Sequence, residues 1–361
     1  MLSHSNEVSI DHSLLKQDKS RGSQLNYHHR FSNLRTIPVE SSQAQTRIKT
    51  EYIEEQCRSI ISTNQSPDVP FEHSINPYRG CEHGCIYCFA RPSHAYWDLS
   101  PGLDFETNII YKSNAVAELK KKLNNPNYQC KPIALGVNTD AYQPIEEKLQ
   151  LTRALLEVLL EFRHPVHLLT KSNLVLRDLD IIKELNAHNL ISVGISITTL
   201  NNHLKTIMEP RAASPKSRLK IMKELSDIKV PVHALIAPII PGINDHEIEK
   251  IVRAVKANGV ENISYIMLRL PHELKTIFTD WLELHFPYRK DKVLSYIRDL
   301  RGGQLNKSEF GKRMTGCGIF SQIFNARFKL ACKKFSMNKE GKDHLSTEHF
   351  RNELPTQLPL I

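Results

Sequence analysis

The chain has 361 residues, of which 40% are hydrophobic, and it carries a formal net charge of +9 with an isoelectric point near 9.1. This apolar share supports a sizeable core, and the length fits one large domain with extensions. The sequence contains no apolar run of roughly 18 residues, and its first residues lack the order of a signal peptide, so neither a membrane span nor secretion is expected. A basic surface can attract nucleic acid or another polyanion.

Residues 1–65 form the first segment. They are polar, rich in Ser, His, Gln and Asn, and contain few apolar repeats. This composition predicts a largely extended, flexible N-terminal arm. Residues 66–71 follow as a turn-rich lead-in with two prolines, and residues 73–78 are the first predicted strand. The folded domain is therefore expected to begin at residue 66.

Three of the seven cysteines, Cys81, Cys85 and Cys88, lie within eight residues in the spacing Cys-x3-Cys-x2-Cys. Three thiols cannot all pair as disulfides, and unpaired thiols fit a reducing cytoplasm. A tight loop that directs three thiolates to one place is typical of a metal or cluster site, and a four-iron cluster with three cysteine ligands keeps one iron free for a small molecule. The alternative is structural zinc with His83 or His94 as fourth ligand, although zinc sites usually offer two separated ligand pairs.

The cysteine spacing, with the aromatic Tyr87 just before the third cysteine, resembles that of the radical S-adenosylmethionine (SAM) enzymes. The wider stretches Ser74-Ile-Asn-Pro-Tyr-Arg-Gly-Cys81 and Cys88-Phe-Ala-Arg-Pro resemble the spore photoproduct lyase-like branch, and in particular a group of uncharacterised bacterial proteins in it. The resemblance extends over roughly residues 65–335. The triplet Arg21-Gly-Ser and the pair Arg30-Phe31 resemble an N-terminal signature of the same group. Part of the arm is therefore expected to lie on the folded domain.

This resemblance implies the cofactors and the reaction type. Cys81, Cys85 and Cys88 would hold a 4Fe-4S cluster, and a low-potential donor such as flavodoxin or ferredoxin would reduce it. The reduced cluster would cleave SAM into methionine and a 5′-deoxyadenosyl radical, which would abstract hydrogen from the substrate. In such enzymes the cofactors perform the difficult chemistry, and the protein positions the substrate and excludes water.

After the cysteine loop, short apolar runs alternate with amphipathic stretches. The further predicted strands are residues 132–137, 166–170, 191–197, 232–237 and 263–268. The predicted helices are residues 114–123, 147–162, 176–186, 215–228 and 245–258. Alternating strands and helices predict an α/β fold with a parallel sheet. Six units do not complete an eightfold barrel, and the resemblance implies a partial (β/α)6 radical SAM barrel spanning residues 66–272.

Active sites of such barrels lie at the carboxyl ends of the strands. The polar residues Asn138, Thr139 and Asp140 follow the second strand and are candidates for the SAM amino group or ribose, with helix capping by Thr139 or Asp140 as the alternative. Lys171 follows the third strand and is a candidate partner for the SAM carboxylate, with a solvated lysine as the alternative. In the resembled family the positions of Lys171 and Ser196 contact SAM.

Other loops at the same end carry further candidates. Tyr87 is expected to contact SAM because the cysteine loop fixes its position. Residues 237–242 either pack on the adenine or form a simple turn. Arg211 is a candidate to bind an anionic substrate or SAM itself. The alternative is a structural pair with a glutamate within its own loop. Arg269 and His272 follow the sixth strand and are expected on the substrate side of the barrel mouth.

The C-terminal part is predicted to add a helical extension at residues 273–335 and a loose tail at residues 336–361. Residues 301–318 are glycine-rich and basic, and are interpreted as a flexible lid over the barrel mouth. Cys317, within this segment, is either a hydrogen-atom donor or a small buried residue.

The substrate is left open because the chain departs from spore photoproduct lyase at two positions. The lyase has a hydrogen-donor cysteine at the end of its second strand, where this chain has Val137, and a tyrosine directly after the third cluster cysteine, where it has Phe89. Nucleic acid is one candidate substrate; a protein or a small metabolite is the other. The alternative functions are a non-catalytic iron–sulfur or zinc nucleic-acid-binding module, which needs a basic face with interleaved aromatics, and an iron–sulfur scaffold or electron carrier.

Overall fold

The structure, a computed structural model, describes residues 19–32, 48–339 and 345–352. The strands in these residues are β1 (Glu51–Glu55), β2 (Ile61–Thr63), β3 (His73–Ile75), β4 (Tyr78–Arg79), β5 (Asn108–Lys112), β6 (Ile133–Leu135), β7 (Val166–Thr170), β8 (Ile191–Ser196), β9 (Val232–Ile239) and β10 (Asn262–Met267). The α-helices are α1 (Asp104–Thr107), α2 (Ala115–Leu123), α3 (Glu146–Leu149), α4 (Leu151–Glu161), α5 (Leu179–Ala187), α6 (Asn202–Met208), α7 (Pro215–Asp227), α8 (Ile248–Ala257), α9 (Leu274–His285), α10 (Lys290–Leu300) and α11 (Gly318–Lys334). The predictions for the rest of the arm and tail lie outside these residues.

The main sheet has seven strands in the order β10-β9-β8-β7-β6-β3-β2. Six of them, β3 and β6 to β10, run parallel, and β2 pairs antiparallel with β3 at the edge. Helices connect the parallel strands, and the apolar side chains of the strands and helices share one large core. The predicted partial barrel of six βα units is therefore confirmed. Its carboxyl-terminal strand ends carry the candidate site.

A second, three-stranded sheet in the order β1-β5-β4 supports the cysteine loop, which begins directly after β4. β1 pairs parallel with β5, and β4 pairs antiparallel with it. Both β1 and β2 lie within residues 1–65, which were predicted as a largely extended, flexible arm. The sequence does not reveal β1 because its residues, Glu-Tyr-Ile-Glu-Glu, are mostly exposed and show no apolar alternation. The folded body therefore starts before residue 66.

The predicted helix at 147–162 is two helices, α3 and α4, which meet at Gln150. Gln150 has a left-handed backbone with φ of 52°. The carboxylate of Glu146 accepts hydrogen bonds from the Thr152 amide at 3.0 and 3.1 Å, and so caps the start of α4. A side chain of the first helix thus satisfies an unpaired amide of the second. No glycine or proline stands near Gln150, so the sequence does not indicate this break between the helices.

The helical extension consists of α9, α10 and α11, as predicted. Its segment between α10 and α11, interpreted as a flexible lid, is tied to the barrel by the buried side chain of Arg301. The guanidinium donates to the carbonyls of Met267, Leu268, Lys312 and Arg313. The segment is thereby joined to the end of β10.

The described part of the tail differs from the loose tail predicted. Phe350 packs against Tyr128 and His164, with ring centroids 5.6 and 5.4 Å apart, and the Arg351 amide donates to the carbonyl of Phe162 at 3.1 Å. An aromatic residue in a polar segment gives little periodic signal, so its packing was missed. Within the described residues no helix is both long and apolar enough to cross a membrane.

Candidate functional site

The cysteine loop is held by backbone contacts from its first residue onward. Gly80, with φ of 73°, turns the chain after β4, and a side chain there would approach the carbonyls of Phe105 and Asn108 to 2.9 and 3.0 Å. The Cys81 amide then donates to the carbonyl of Phe105 at 2.8 Å. The Cys88 amide donates to the Cys85 carbonyl at 3.2 Å, closing a tight turn between the second and third cysteines.

A buried ion pair between Arg91 and Glu106 fixes the loop from behind. Both side chains are fully buried, and Arg91 also donates to the carbonyl of Cys85 at 2.9 Å. The Glu106 carboxylate accepts the amides of Gly22 and Ser23 at 2.9 and 2.8 Å, so it docks the N-terminal arm on the loop. The expectation that the Arg21-Gly-Ser stretch lies on the folded domain is met by this contact.

The three thiols lie close enough to influence one another electrostatically. Cys81 and Cys85 are buried, and Cys88 is half-buried. Burial raises the pKa of Cys85 to about 12 and, together with Asp140, Cys85 and Cys88, raises the pKa of Cys81 well above its usual value. Ionised thiols at this place need a positive partner. A donor set made of thiols alone fits an iron–sulfur cluster or zinc, because both are selected by soft thiolates.

The surroundings of the loop bear on the zinc alternative. Across residues 19–32, 48–339 and 345–352, no three His, Cys, Asp or Glu side chains are placed to hold one metal ion. The two histidines considered for zinc are engaged elsewhere: His94 donates to the Asn108 carbonyl at 3.0 Å, and His83 lies 3.3 Å from the Asp140 carboxylate.

Glu209, which follows α6, is the centre of a buried polar network that reaches the cysteine loop. Its carboxylate accepts hydrogen bonds from the hydroxyls of Tyr87 and Thr198 and pairs with Arg218. Burial opposes the charge of Glu209, but the cations of Arg218 and Lys171 outweigh it and lower the pKa of Glu209 to about 2. Tyr87 is thus anchored through its hydroxyl. Tyr87 is a predicted SAM contact, but no spacing in the sequence connects it to Glu209.

Lys171 follows β7 and lies beside this network. In the described part of the chain its ammonium has no carboxylate within ion-pair distance. Burial penalises the charge, but the neighbouring Cys85, Glu209 and Asp140 outweigh this and raise the pKa of Lys171 above its usual value. Lys171 is therefore a charged group near the cysteine loop whose donors are available to a ligand.

The three polar residues after β6 have different surroundings. The Asp140 carboxylate accepts the Thr170 hydroxyl at 2.7 Å and the amides of Tyr142 and Lys171 at 2.9 and 2.8 Å. The Thr139 hydroxyl donates to a backbone carbonyl at 2.6 Å. Both side chains are therefore used structurally, as the capping alternative expected. They join neighbouring loops, however, and do not cap a helix. The side chain of Asn138 is exposed.

Ser196 lies beside the carboxyl end of β9, from which the loop at residues 240–244 follows. The Ser196 hydroxyl is 3.4 Å from the carbonyl of Ala237. The side chain of Asn244 donates to the carbonyls of Thr198 and Pro238 at 2.8 and 3.0 Å, and its oxygen accepts the Ile240 amide at 2.6 Å. Asn244, which no motif in the sequence marks, therefore fixes this loop against the end of β8.

Arg211 pairs with a glutamate, but with one from the cysteine loop. Its guanidinium lies 2.8 Å from the carboxylate of Glu82. Glu82 also accepts the hydroxyls of Thr50 and Tyr52 at 2.7 and 3.1 Å. Arg211 is therefore engaged in pairing with a glutamate, the structural alternative. Through Glu82, this pair joins three separate segments of the chain.

Arg269 follows β10 and faces the residue after the third cysteine. Its guanidinium lies 5.1 Å from the ring centre of Phe89, which is 45% exposed. Burial and the charge of Arg313 lower the pKa of Arg269.

The other two candidates of this region have different surroundings. His272 is exposed. The Cys317 thiol donates weakly to the Leu300 carbonyl at 3.5 Å.

The chain is similar to several known proteins. The model of the radical SAM superfamily matches residues 75–255. An uncharacterized protein of Mycobacterium tuberculosis is 32% identical over 249 residues, which cover 68% of this chain and 72% of that protein. An uncharacterized protein of Methanocaldococcus jannaschii is 30% identical over 240 residues, which cover 66% of this chain and 85% of that protein.

A solved structure supports the same fold. Spore photoproduct lyase complexed with dinucleoside spore photoproduct superposes with a TM-score of 0.56 at 15% identity, covering 82% of this chain and 85% of that chain. At this identity the similarity concerns the fold. Together with the sequence matches, it confirms the family predicted from the cysteine spacing. The chain belongs to the radical SAM superfamily, whose enzymes use a 4Fe-4S cluster and S-adenosylmethionine as cofactors.

Proposed function

We propose that Cys81, Cys85 and Cys88 hold the 4Fe-4S cluster and that one iron remains free to bind SAM. The observation that carries this is the arrangement of three thiols on one loop that the Arg91–Glu106 pair supports from behind. When bound, the cluster and SAM supply an electron and a 5′-deoxyadenosyl radical that abstracts hydrogen from an unreactive carbon. The protein groups hold the reactants in place and shield them from water.

Lys171 is the proposed partner of the SAM carboxylate. It lies next to Cys85, as its electrostatic coupling to that thiol indicates, and its ammonium has no ion-pair partner in the described residues. An unpaired ammonium in a partly enclosed site stabilises a carboxylate by a charge-assisted hydrogen bond. Ser196 and Asn138 are proposed as additional polar contacts for SAM.

Three other predicted contacts are proposed to act indirectly. The side chains of Asp140 and Thr139 form hydrogen bonds with neighbouring loops, and the hydroxyl of Tyr87 donates to Glu209. These three residues are positioning residues in this account. The face of the Tyr87 ring remains as a surface that SAM can contact.

The substrate side is proposed to include Arg269 and Phe89, which lie together beside the third cysteine. An arginine stacked on an aromatic ring keeps its N–H edge available for carboxylate or phosphate. An anionic substrate fits this pair, and nucleic acid is one such substrate. The reductant is proposed to be a low-potential carrier such as flavodoxin or ferredoxin.

The direct test of the cluster is spectroscopic. The protein is reconstituted anaerobically with iron and sulfide, reduced, and its electron paramagnetic resonance spectrum is recorded with and without SAM. We expect a reduced-cluster signal that changes when SAM is added. Single Cys81→Ala, Cys85→Ala and Cys88→Ala variants are expected to lose the signal, whereas Cys130→Ala, outside the loop, retains it. A signal that survives all three loop substitutions would refute the assignment.

A further inference from the structure

A cavity lies between the loop after β9 and the helical extension. It has a volume of about 450 Å³ and opens between α10 and α11. Its floor is formed by Gly242 and Asp245 of the loop. This volume is within the range of small-molecule sites in proteins, roughly 300–1,000 Å³. The three cysteines and the polar candidates Asn138, Thr139, Asp140, Lys171 and Ser196 do not line it; of the predicted adenine loop, only Pro241 and Gly242 do.

The inner wall of the cavity is apolar and aromatic. Tyr296 of α10 and Phe320 of α11 have ring centres 5.0 Å apart at an interplanar angle of 59°. Val293 and Phe324 are buried beneath them. Flat apolar walls of this kind suit a planar ring, which can stack on or pack edge-on against the aromatic side chains.

The rim of the cavity is cationic. Arg289 and Lys292 are both exposed at the start of α10, and in the described part of the chain neither has an ion-pair partner. The Lys292 ammonium lies 5.9 Å from the ring centre of Tyr296. Arg327 also lines the cavity, but Glu249 holds it through two contacts of 2.8 and 2.9 Å. The lining carboxylate, Asp245, accepts the Gly242 amide at 2.7 Å. The available charge at the rim is therefore positive.

The start of α10 adds to this charge. The helix has eleven residues, and Arg289, its N-cap residue, makes no side-chain capping bond. The amide of Lys290, the first residue of α10, donates to the carbonyl of Phe286 at 2.9 Å, so what this end contributes is the helix dipole, which favours negative charge. Arg289, Lys292 and the positive end of the helix dipole thus lie on the same side of a cavity with aromatic walls.

We propose that this cavity binds a small ligand that combines a planar ring with a phosphate, as in a nucleoside monophosphate. The ring packs on Tyr296 and Phe320, and the phosphate lies between Arg289 and Lys292. SAM itself is a poor fit because its sulfonium and ammonium groups would face these cations. The site is distinct from the proposed cluster site and goes beyond the proposed reaction.

The test is isothermal titration of the full chain in the presence of saturating SAM, with AMP, adenosine and inorganic phosphate as probes. We expect AMP to bind at least tenfold more tightly than adenosine or phosphate, because only AMP fills both parts of the cavity. The double variant Arg289→Gln with Lys292→Gln is expected to weaken AMP binding at least tenfold. Lys329→Gln, an exposed lysine of α11 outside the cavity, serves as the matched control and should leave the affinity unchanged.

Two results would overturn the proposal. One is that AMP binds no more tightly than adenosine and phosphate. The other is that AMP binding is equal in the wild type and in the double variant, which would place it elsewhere on the protein. The titration does not use SAM cleavage, so a failure of the proposed reaction leaves this result interpretable.

Discussion

The hydroxyl of Tyr87, on the cysteine loop, donates a hydrogen bond to the buried carboxylate of Glu209, on the segment after β8 and α6. This bond ties the residue before the third cysteine to the Arg218 pair inside the barrel. It also explains why an aromatic residue with a hydroxyl stands at this position. The loop is therefore held both from behind, by Arg91, and from the barrel side.

Replacement of Tyr87 by Phe removes this hydroxyl and keeps the ring. Because Glu209 retains Thr198 and Arg218 as partners, we expect a loss in the free energy of unfolding of about 1–2 kcal/mol. Iron should also be released faster from the reconstituted protein. Urea denaturation and the rate of iron release to a chelator measure the two effects.

Glu209→Gln is the companion variant. It leaves the guanidinium of Arg218 buried without a charged partner, which typically costs about 3–5 kcal/mol. The expected order of stability is wild type, Tyr87→Phe, Glu209→Gln. If Tyr87→Phe were the less stable of the two variants, the network would be organised around a different residue.

The contact between Gly22 and the cysteine loop leads to a second prediction. A methyl group at Gly22 would lie 1.8 Å from the carbonyl oxygen of Gly84, so the arm or the loop must shift. We expect Gly22→Ala to increase tryptic cleavage after Arg30 several-fold and to speed iron loss. Ser23→Ala, which removes one hydroxyl hydrogen bond and keeps the backbone contact to Glu106, is the control and should behave nearly as wild type. Equal cleavage of all three proteins would show that the arm is not held at Gly22.

The assignment of Lys171 to the SAM carboxylate predicts a change in SAM affinity. Lys171→Ala is expected to weaken SAM binding about tenfold or more, which corresponds to about 1.4 kcal/mol or more. Lys171→Arg, which keeps the charge, should lose less. Lys183→Gln, an exposed lysine of α5, is the control. Equilibrium dialysis against labelled SAM measures all four proteins, and an unchanged affinity in Lys171→Ala would remove this residue from the SAM site.

His164 predicts a pH dependence of stability. Its Nδ1–H donates to the Pro165 carbonyl, and its Nε2 accepts the Tyr128 hydroxyl at 2.9 Å, so the folded protein holds it neutral. Burial lowers the pKa of His164 from 6.5 to about 4. Between these values the unfolded chain binds a proton that the folded chain does not, so stability falls as the pH falls from about 6.5 to about 4, by about 3 kcal/mol for this residue.

The measurement compares the wild type with His164→Gln by urea unfolding at pH 7, 6, 5 and 4. The variant is expected to be less stable at pH 7 and to lose less stability on acidification. An exposed histidine on the surface, His246, replaced by Gln, should leave the pH dependence as in the wild type. Parallel pH profiles for the wild type and His164→Gln would contradict the prediction.

The sequence predicts those features that depend on local pattern. The strand at residues 166–170 has the bounds predicted, because four of its five side chains are β-branched or leucine. The cysteine loop is equally local, since its ligands lie within eight residues. The alternation of strands and helices then gives the barrel, and with it the strand ends where the polar residues lie.

The parts that the sequence does not predict depend on contacts between distant segments. Glu106 docks the arm through Gly22, and Glu82 pairs with Arg211, yet no spacing in the sequence connects these residues. The same is true of Asp140, whose position suggested a ligand contact and whose carboxylate is taken by neighbouring loops. Local patterns therefore identify which residues lie at the strand ends, whereas the tertiary contacts decide which of them remain available to a ligand.

The most direct test of the account is an anaerobic assay for 5′-deoxyadenosine. The protein is reconstituted with iron and sulfide, reduced with dithionite and supplied with SAM. We expect 5′-deoxyadenosine from the wild type and none from the Cys81→Ala, Cys85→Ala or Cys88→Ala variants. A colourless wild-type protein that retains zinc and forms no 5′-deoxyadenosine would contradict the assignment of these three residues to a catalytic cluster.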